Sequence, residues 1–210
     1  MKFHTASTLD FIYEIKKEND IILIYDEIAT GFYRTGSMFA FQQSKSIPDI
    51  LCIGKALTGG FISLAATIAS KKIFNAFLSN KKNMEFMHGP TYMANPLACS
   101  AANASLDLFE NRNYANIVIE IEKSLNNQLK KFTSFKFVKE VRVKGAIGVI
   151  ELLSLTKKDI TWLRKKFIKN GVWLRPFGNI VYFTPSLLIS KKDLDFLVQT
   201  TYQIFKTWKK

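Results

Sequence analysis

The sequence carries the stretch IILIYDEIATGFYRTG at residues 21–36 and, further on, PDILCIGKALTGG at residues 48–60. Each contains a continuous apolar run rich in β-branched residues, which is typical of a strand buried on both faces of a parallel sheet. Asp26 ends the first run, and Lys55 follows the second by two residues. Ligands of open α/β sheets bind outside the carboxyl ends of the strands, so Asp26 and Lys55 are candidate site residues.

Strands and helices alternate along residues 1–112, and this alternation predicts an α/β unit with a mainly parallel sheet. Asn95 and Pro96 mark one helix start, because the Asn side chain caps the helix and proline needs no amide hydrogen there. The predicted elements are helices over Thr8–Lys17, from Lys71 onward and over Asn95–Leu108, and strands over Ile21–Tyr25, Ile50–Ile53 and Leu64–Ala69.

Residues 113–210 have a different pattern, which predicts a separate α+β unit. Apolar residues recur every three or four positions over 114–132 and indicate an amphipathic helix. Two polar-x-x-acid signatures mark further helix starts, at Thr156 and at Ser190. These helices are predicted to end near Gly171 and at the carboxyl terminus, and the predicted strands cover 136–143, 146–152, Val172–Arg175 and Ile180–Phe183.

The composition is that of a globular protein. Of the 210 residues, 48% are apolar and 22% are charged, which excludes a disordered chain. No apolar stretch approaches the roughly 18 residues that span a bilayer, and the amino terminus has no apolar signal core. The cysteines, Cys52 and Cys99, are too few for a disulfide framework. We therefore expect a cytoplasmic protein without a membrane partner, in which both cysteines serve as small packing residues.

The formal net charge of +13 does not identify a partner. The lysines occur as scattered pairs rather than in one dense block, which favours a solvated surface over a nucleic-acid interface. Nucleic-acid binding stays open as an alternative, and it would show as a steep salt dependence of duplex binding. No spaced set of Cys and His residues predicts a metal site.

The segment Asp26–Gly36 resembles the motif D-E-x-x-T-G-F-x-R-T-G of the class III (ω-type) aminotransferases of fold type I, and it matches at all eight fixed positions. These enzymes use pyridoxal 5'-phosphate. Further segments resemble the branch of that family that acts in biotin biosynthesis, which converts 8-amino-7-oxononanoate to 7,8-diaminononanoate with S-adenosylmethionine as the amino donor. They are Pro48–Gly60, Met87–Cys99, Gly145–Val149 and Gly171–Gly178.

The resemblance assigns cofactor roles to three residues. Lys55 is similar to the lysine that binds the cofactor aldehyde and then moves the substrate proton, a task that calls for a desolvated amine. Asp26 matches the partner of the pyridinium nitrogen. Thr91 matches the threonine that binds the cofactor phosphate across the interface of a homodimer. Taken alone, these residues would fit a surface loop lysine, a turn or cap aspartate and a turn threonine.

Substrate roles are implied for Arg175, Tyr182 and Gly89. Arg175 matches the arginine that receives the substrate carboxylate, which suits the bidentate fork of a guanidinium. Tyr182 matches a substrate-lining tyrosine, although a strand tyrosine is often a core or edge residue. Outside this set, His88 is expected to be structural. Glu27 and Arg34 are expected to form a supporting charge network.

The resemblance covers only the second half of the family's members. Residues 1–112 would be the second part of the large, cofactor-binding domain, and 113–210 the small domain. We expect a truncated or split aminotransferase that exposes strand edges and apolar helix faces. Tyr33 and Ala94 stand where the pattern has Gly. The alternatives are another class III ω-aminotransferase, acting on ornithine, γ-aminobutyrate or a diamine, and an inactive remnant.

Overall fold

A computed structural model describes residues 1–208 of the chain. The residues form two compact units. The first unit comprises His4–Tyr114, and the second comprises the residues from Ala115 onward together with Met1–Phe3. The sequence predicted a boundary between residues 112 and 113 and placed the amino-terminal residues in the first unit. Identification of the two units with parts of a large and a small domain stays a prediction.

The elements of the first unit agree with most of the sequence pattern. The predicted strand over Ile50–Ile53 has the predicted bounds. Asn95 caps its helix as expected, because its Oδ1 accepts hydrogen bonds from the N–H groups of Leu97 and Ala98. The elements are α1 (Ala6–Asn19), β1 (Ile24–Asp26), β2 (Ile50–Ile53), β3 (Ala66–Ala69), α2 (Lys71–Asn75) and α3 (Pro96–Asn111).

The sheet of the first unit has the strand order β1-β2-β3. Strands β1 and β2 are parallel, with Asp26 opposite Cys52. Strand β3 is antiparallel to β2, so one of the two pairings departs from the predicted parallel arrangement. The twelve residues between β2 and β3 contain a 3₁₀ turn but no α-helix, which is the usual crossover between parallel strands.

Residues 1–208 cover one face of this sheet, and the other face is half-buried at β2 and exposed at β1. Leu51 and Ile53 contribute to a buried cluster with Phe32 and Leu57, which Tyr25 also contacts. Side chains alternate along a strand, so Ile24 and Asp26 lie on the opposite face. Ile24 is 55% exposed. The prediction that β1 is buried on both faces is therefore wrong for the described residues, because none of them covers its second face.

The second unit is an antiparallel sheet combined with helices. Its strands have the order β4-β5-β7-β6. The predicted strand Val172–Arg175 is wrong: these residues alternate between buried and exposed as a strand would, but pairing with β7 begins only at Pro176. The elements are α4 (Tyr114–Leu129), β4 (Val138–Lys144), β5 (Ile147–Leu152), α5 (Lys157–Lys169), β6 (Pro176–Phe177), β7 (Ile180–Phe183) and α6 (Lys191–Thr207).

Both predicted caps of the second unit are present. Thr156 Oγ1 accepts the N–H of Asp159, and Ser190 Oγ accepts the N–H of Asp193. The helices that follow bury one side each in the core of the unit, whose largest fully buried side chains include Phe132, Phe167, Phe183 and Phe205. Within residues 1–208, no helix combines the length and the apolar character needed to cross a bilayer.

A charge cluster joins β4 to β5. The Glu151 carboxylate binds Lys139 Nζ at 2.7 Å and Arg142 Nη1 at 2.6 Å. Hydrogen bonds from these two cations lower the pKa of Glu151 to about 2. A carboxyl group with a depressed pKa in the folded state stabilises that state above its unfolded pKa, and the contribution disappears as the pH falls through the folded value.

We expect Glu151→Gln to lower the free energy of unfolding by about 1 kcal/mol at neutral pH, because the ion pairs are partly exposed to solvent. The difference from wild type should shrink between pH 4.5 and 2, the interval between the ordinary and the lowered pKa. Urea titrations across this pH interval measure the free energy of unfolding. Glu120→Gln, at an exposed position, is the control. Parallel pH profiles for wild type and Glu151→Gln would contradict the assigned linkage.

Candidate active site

Asp26 is the last residue of β1, at the carboxyl edge of the first sheet. Its Oδ1 accepts the N–H of Ile28 at 3.0 Å, which holds the carboxylate in a local Asx-type turn. The side chain is exposed, on the sheet face that residues 1–208 leave uncovered. The structure therefore presents a carboxylate at the position where a ligand of an α/β sheet binds.

Lys55 lies two residues after β2, at the start of a short 3₁₀ helix, Lys55–Thr58. Its φ angle is +46°, in the left-handed region that a residue with a Cβ seldom adopts. Such backbone strain clusters at functional sites. The side chain is exposed, so the desolvation predicted for the amine is absent from the described residues, which do not close a crevice over it.

Asp26 and Lys55 lie at the carboxyl ends of adjacent parallel strands. Asp26, opposite Cys52, is the last residue of β1, and Lys55 lies two residues after β2, so both are at one edge of the sheet. The arrangement offers an anionic carboxylate and a primary amine at the same edge. This pair can hold a ligand that carries a cationic or protonated ring nitrogen and a carbonyl carbon open to attack by an amine.

Glu27 has a larger structural role than the sequence indicated. It is 3% exposed. Its carboxylate accepts the N–H groups of Ala40 and Phe41, both at 2.9 Å, and the hydroxyl of Thr30 at 2.6 Å. Its own N–H donates to Cys52 O at 2.9 Å. Glu27 thus fastens the loop after β1 to both strands. Burial lowers the pKa of Arg34, the other residue of the predicted charge network.

The two departures from the glycine pattern both have positive φ angles, +64° at Tyr33 and +53° at Ala94. A residue with a Cβ costs about 1 kcal/mol or more in this region, as anticipated for position 33. At Tyr33 aromatic contacts offset the strain, because the ring stacks on Phe109 and Tyr114 at centroid distances of 6.0 and 5.9 Å.

Gly89 and Thr91 lie in an exposed segment between α2 and α3. The N–H of Met93 donates to Pro90 O at 2.9 Å, so Thr91 is within a turn. Within residues 1–208, no hydrogen bond joins either residue to Asp26 or Lys55. The structure thus places both at the surface, and their cofactor and substrate roles stay predictions.

Arg175 and Tyr182 belong to the second unit, where they line one cavity of about 290 Å³. The Arg175 guanidinium lies 5.7 Å from the centre of the exposed Trp173 ring, within the range of a cation–π contact. Tyr182 also contacts an apolar cluster that includes Ile147 and Val149. The Tyr182 ring therefore has the packing role of a strand tyrosine and also lines this cavity, and its substrate-lining role stays a prediction.

The sequence model of the family described as Aminotransferase class-III matches residues 1–205. The chain belongs to the class III aminotransferases. Relatives named adenosylmethionine-8-amino-7-oxononanoate aminotransferase include one from Buchnera aphidicola subsp. Schizaphis graminum, 47% identical over 198 residues, which cover 94% of this chain and 45% of the relative. Another, from Corynebacterium glutamicum, is 40% identical over 193 residues, which cover 92% of this chain and 45% of that relative.

Solved class III structures have the same fold. The adenosylmethionine-8-amino-7-oxononanoate aminotransferase of Methanocaldococcus jannaschii superposes with a TM-score of 0.85 at 35% identity, covering 95% of this chain and 49% of that one. An amine transaminase from an uncultivated Pseudomonas species, solved in its PLP-bound form, superposes with a TM-score of 0.88 at 29% identity. The match covers 96% of this chain and 48% of that one. The predicted fold type I class is confirmed, and the chain spans about half the length of the curated relatives it matches.

Proposed function

We propose that this class III aminotransferase chain contributes the lysine-bearing part of a pyridoxal 5'-phosphate enzyme of biotin biosynthesis. The reaction is the conversion of 8-amino-7-oxononanoate to 7,8-diaminononanoate. The observation that carries the proposal is the placement of Asp26 and Lys55 at the carboxyl ends of two adjacent parallel strands. Identities of 40–47% to relatives named for this substrate support the choice of reaction.

The residues at the sheet edge fit pyridoxal phosphate. Asp26 would supply a carboxylate for the ring nitrogen and Lys55 an accessible amine for the aldehyde. Thr91, in the exposed segment between α2 and α3, would supply a hydroxyl for the phosphate of a second copy's cofactor. When bound, the cofactor supplies an electron-accepting ring that stabilises the negative charge left when the substrate loses a proton. The exposed sheet face beside Asp26 leaves room for such a ring.

The chain's own groups divide the remaining tasks. The Asp26 carboxylate keeps a bound pyridine nitrogen protonated, because a negative charge at hydrogen-bond distance stabilises the cationic form. Lys55 Nζ would hold the cofactor aldehyde and, as a free amine, would accept a proton from the substrate carbon and donate it to the cofactor carbon. Glu27, the neighbour of Asp26 in the chain, keeps the loop after β1 in place through its buried carboxylate.

We assign substrate binding to the side chains of Arg175 and Tyr182 and to the backbone of Gly89. Solved ornithine aminotransferases also share the fold, for example that of Toxoplasma gondii with a TM-score of 0.82 at 25% identity. The higher identity to the biotin-pathway relatives favours 8-amino-7-oxononanoate over ornithine, γ-aminobutyrate or a diamine. S-adenosylmethionine is proposed as the amino donor, in keeping with the relatives' name.

Arg175→Lys is expected to raise the KM for 8-amino-7-oxononanoate by about tenfold and to change kcat much less. Lysine keeps the charge but loses the bidentate geometry, a loss of roughly one charge-assisted hydrogen bond. Steady-state kinetics of the assembled enzyme measure the two constants, and exposed Arg112→Lys is the matched control. An unchanged KM would exclude Arg175 from carboxylate binding.

We further propose that the working enzyme is a cytoplasmic homodimer that contains the remaining portion of the family fold. Large apolar side chains are exposed along the segment around Thr91, with Met87 at 91% and Tyr92 at 81%. Large apolar side chains exposed together along one segment favour a protein interface. The uncovered sheet face around Ile24 is a second such surface.

Genetic complementation tests the proposed function. The chain is expressed in a biotin-requiring strain that lacks the aminotransferase, alone and together with the portion of a relative that the chain does not match. Growth without biotin is expected for the combination and should be lost with Lys55→Ala. Failure of the combination to grow, or growth that does not depend on Lys55, would overturn the proposal.

A further inference from the structure

Ser105 lies on α3, and nothing in the sequence pattern singled it out. Its side chain is directed at the Lys55 turn: Oγ donates a hydrogen bond to the carbonyl oxygen of Ala56 at 3.0 Å, across 49 residues of sequence. Ser105 is 7% exposed, one of the few polar residues buried in the first unit. A buried hydroxyl bonded to the residue after the candidate nucleophile has a specific tertiary partner rather than a solvent contact.

The turn that Ser105 contacts is short and strained. It is a 3₁₀ helix of four residues, Lys55–Thr58. The N–H of Leu57 donates to Gly54 O at 3.1 Å, and the N–H of Gly59 donates to Ala56 O at 3.0 Å. Lys55 has a φ angle of +46°. A non-glycine residue keeps such a conformation only when its surroundings fix it. Local hydrogen bonds alone are weak support for so short a segment.

Helix α3 supplies the tertiary support. Ala102, one helical turn before Ser105, is buried in the same cluster as Leu57, so the apolar side of the turn rests on α3. The Ser105 hydroxyl adds a directional bond to this apolar contact. The Ala56 carbonyl oxygen accepts two hydrogen bonds, one from the Ser105 hydroxyl and one from the Gly59 N–H. The Gly59 bond is local to the turn, so loss of Ser105 Oγ removes the bond that ties this carbonyl to α3.

We propose that Ser105 is a positioning residue for Lys55. By fixing the Ala56 carbonyl to α3, it holds the preceding residue in its left-handed conformation and so determines where the Lys55 amine stands relative to Asp26. The proposal rests on the proposed function, since it assigns Ser105 a role in presenting the amine to a cofactor aldehyde.

The test measures the reactivity of Lys55 directly. The protein is mixed with pyridoxal phosphate, as the chain alone and combined with the remaining portion of a relative. Adducts are trapped with borohydride at timed intervals and mapped by mass spectrometry. The rate at Lys55 is divided by the rate at the other lysines of the same sample, which cancels differences in reagent and folding. Ser105→Ala is expected to lower this ratio about fivefold, the effect of one lost hydrogen bond.

Ser105→Thr keeps the hydroxyl and is expected to restore the wild-type ratio. Thr201→Val is the control for a lost buried hydroxyl, because Thr201 Oγ1 donates to Leu197 O at 2.8 Å within α6 of the second unit. It should leave the ratio unchanged. An unchanged ratio in folded Ser105→Ala would overturn the positioning role alone. Absence of preferential labelling of Lys55 in the wild-type protein would overturn the proposed function and this inference with it.

Discussion

Lys55→Ala is expected to reduce turnover of the assembled aminotransferase by at least about a thousandfold, in the range found for loss of a central acid–base group. The variant removes the only group that we assign both to covalent attachment of the cofactor and to proton transfer at the substrate. Folding should be unaffected, because the Lys55 side chain is exposed. Turnover of 8-amino-7-oxononanoate, followed by product formation, measures the loss.

The control for this variant is Lys71→Ala, which removes another exposed lysine of the first unit. It should retain wild-type turnover and the visible absorbance of bound cofactor, and Lys55→Ala should show neither. Substantial residual turnover in Lys55→Ala, in protein with an unchanged thermal midpoint, would show that the amine at this position is not the catalytic group.

Asp26→Asn is expected to lower kcat roughly a hundredfold, which corresponds to about two units of pKa at the ring nitrogen. An amide of the same shape keeps the hydrogen bond with Ile28 N–H but supplies no negative charge to hold the ring proton. Pyridoxal phosphate should still bind covalently to Lys55. The readouts are kcat and the fraction of protein carrying trapped cofactor.

Asp107→Asn, an exposed carboxylate on α3, controls for the change in net charge and should behave as wild type. An Asp26→Asn enzyme with wild-type kcat would contradict the assignment of Asp26 to the ring nitrogen. Loss of covalent attachment together with kcat would instead indicate that Asp26 holds Lys55 in place.

The sequence was most informative where local chemistry decides the structure. Capping groups predicted three helix starts correctly, at Asn95, Thr156 and Ser190, because a cap depends on residues within one turn. The Ile50–Ile53 run predicted the bounds of β2, but burial on both faces was not predicted correctly, because Ile50 and Cys52 are only half-buried. The motif resemblance led to Asp26 and Lys55, which lie at the carboxyl ends of adjacent parallel strands.

Features that depend on distant residues could not be predicted. Nothing local distinguishes Val172–Arg175, which alternates like a strand, from a segment that lacks a pairing partner. The burial of Glu27 and Ser105 depends on loops and helices far along the chain. The exposure of Ile24 agrees with the expected opened sheet, whereas the exposure of Lys55 was missed, because the predicted desolvation of its amine assumes a closed crevice.

The central claim is that Asp26 and Lys55 hold opposite ends of one cofactor ring. A crystal structure of the assembled protein with pyridoxal phosphate tests it most directly. We expect density continuous between Lys55 Nζ and the cofactor, and an Asp26 carboxylate oxygen within hydrogen-bond distance of the pyridine nitrogen. Cofactor joined to a different lysine, or an Asp26 side chain directed away from the ring, would contradict the account.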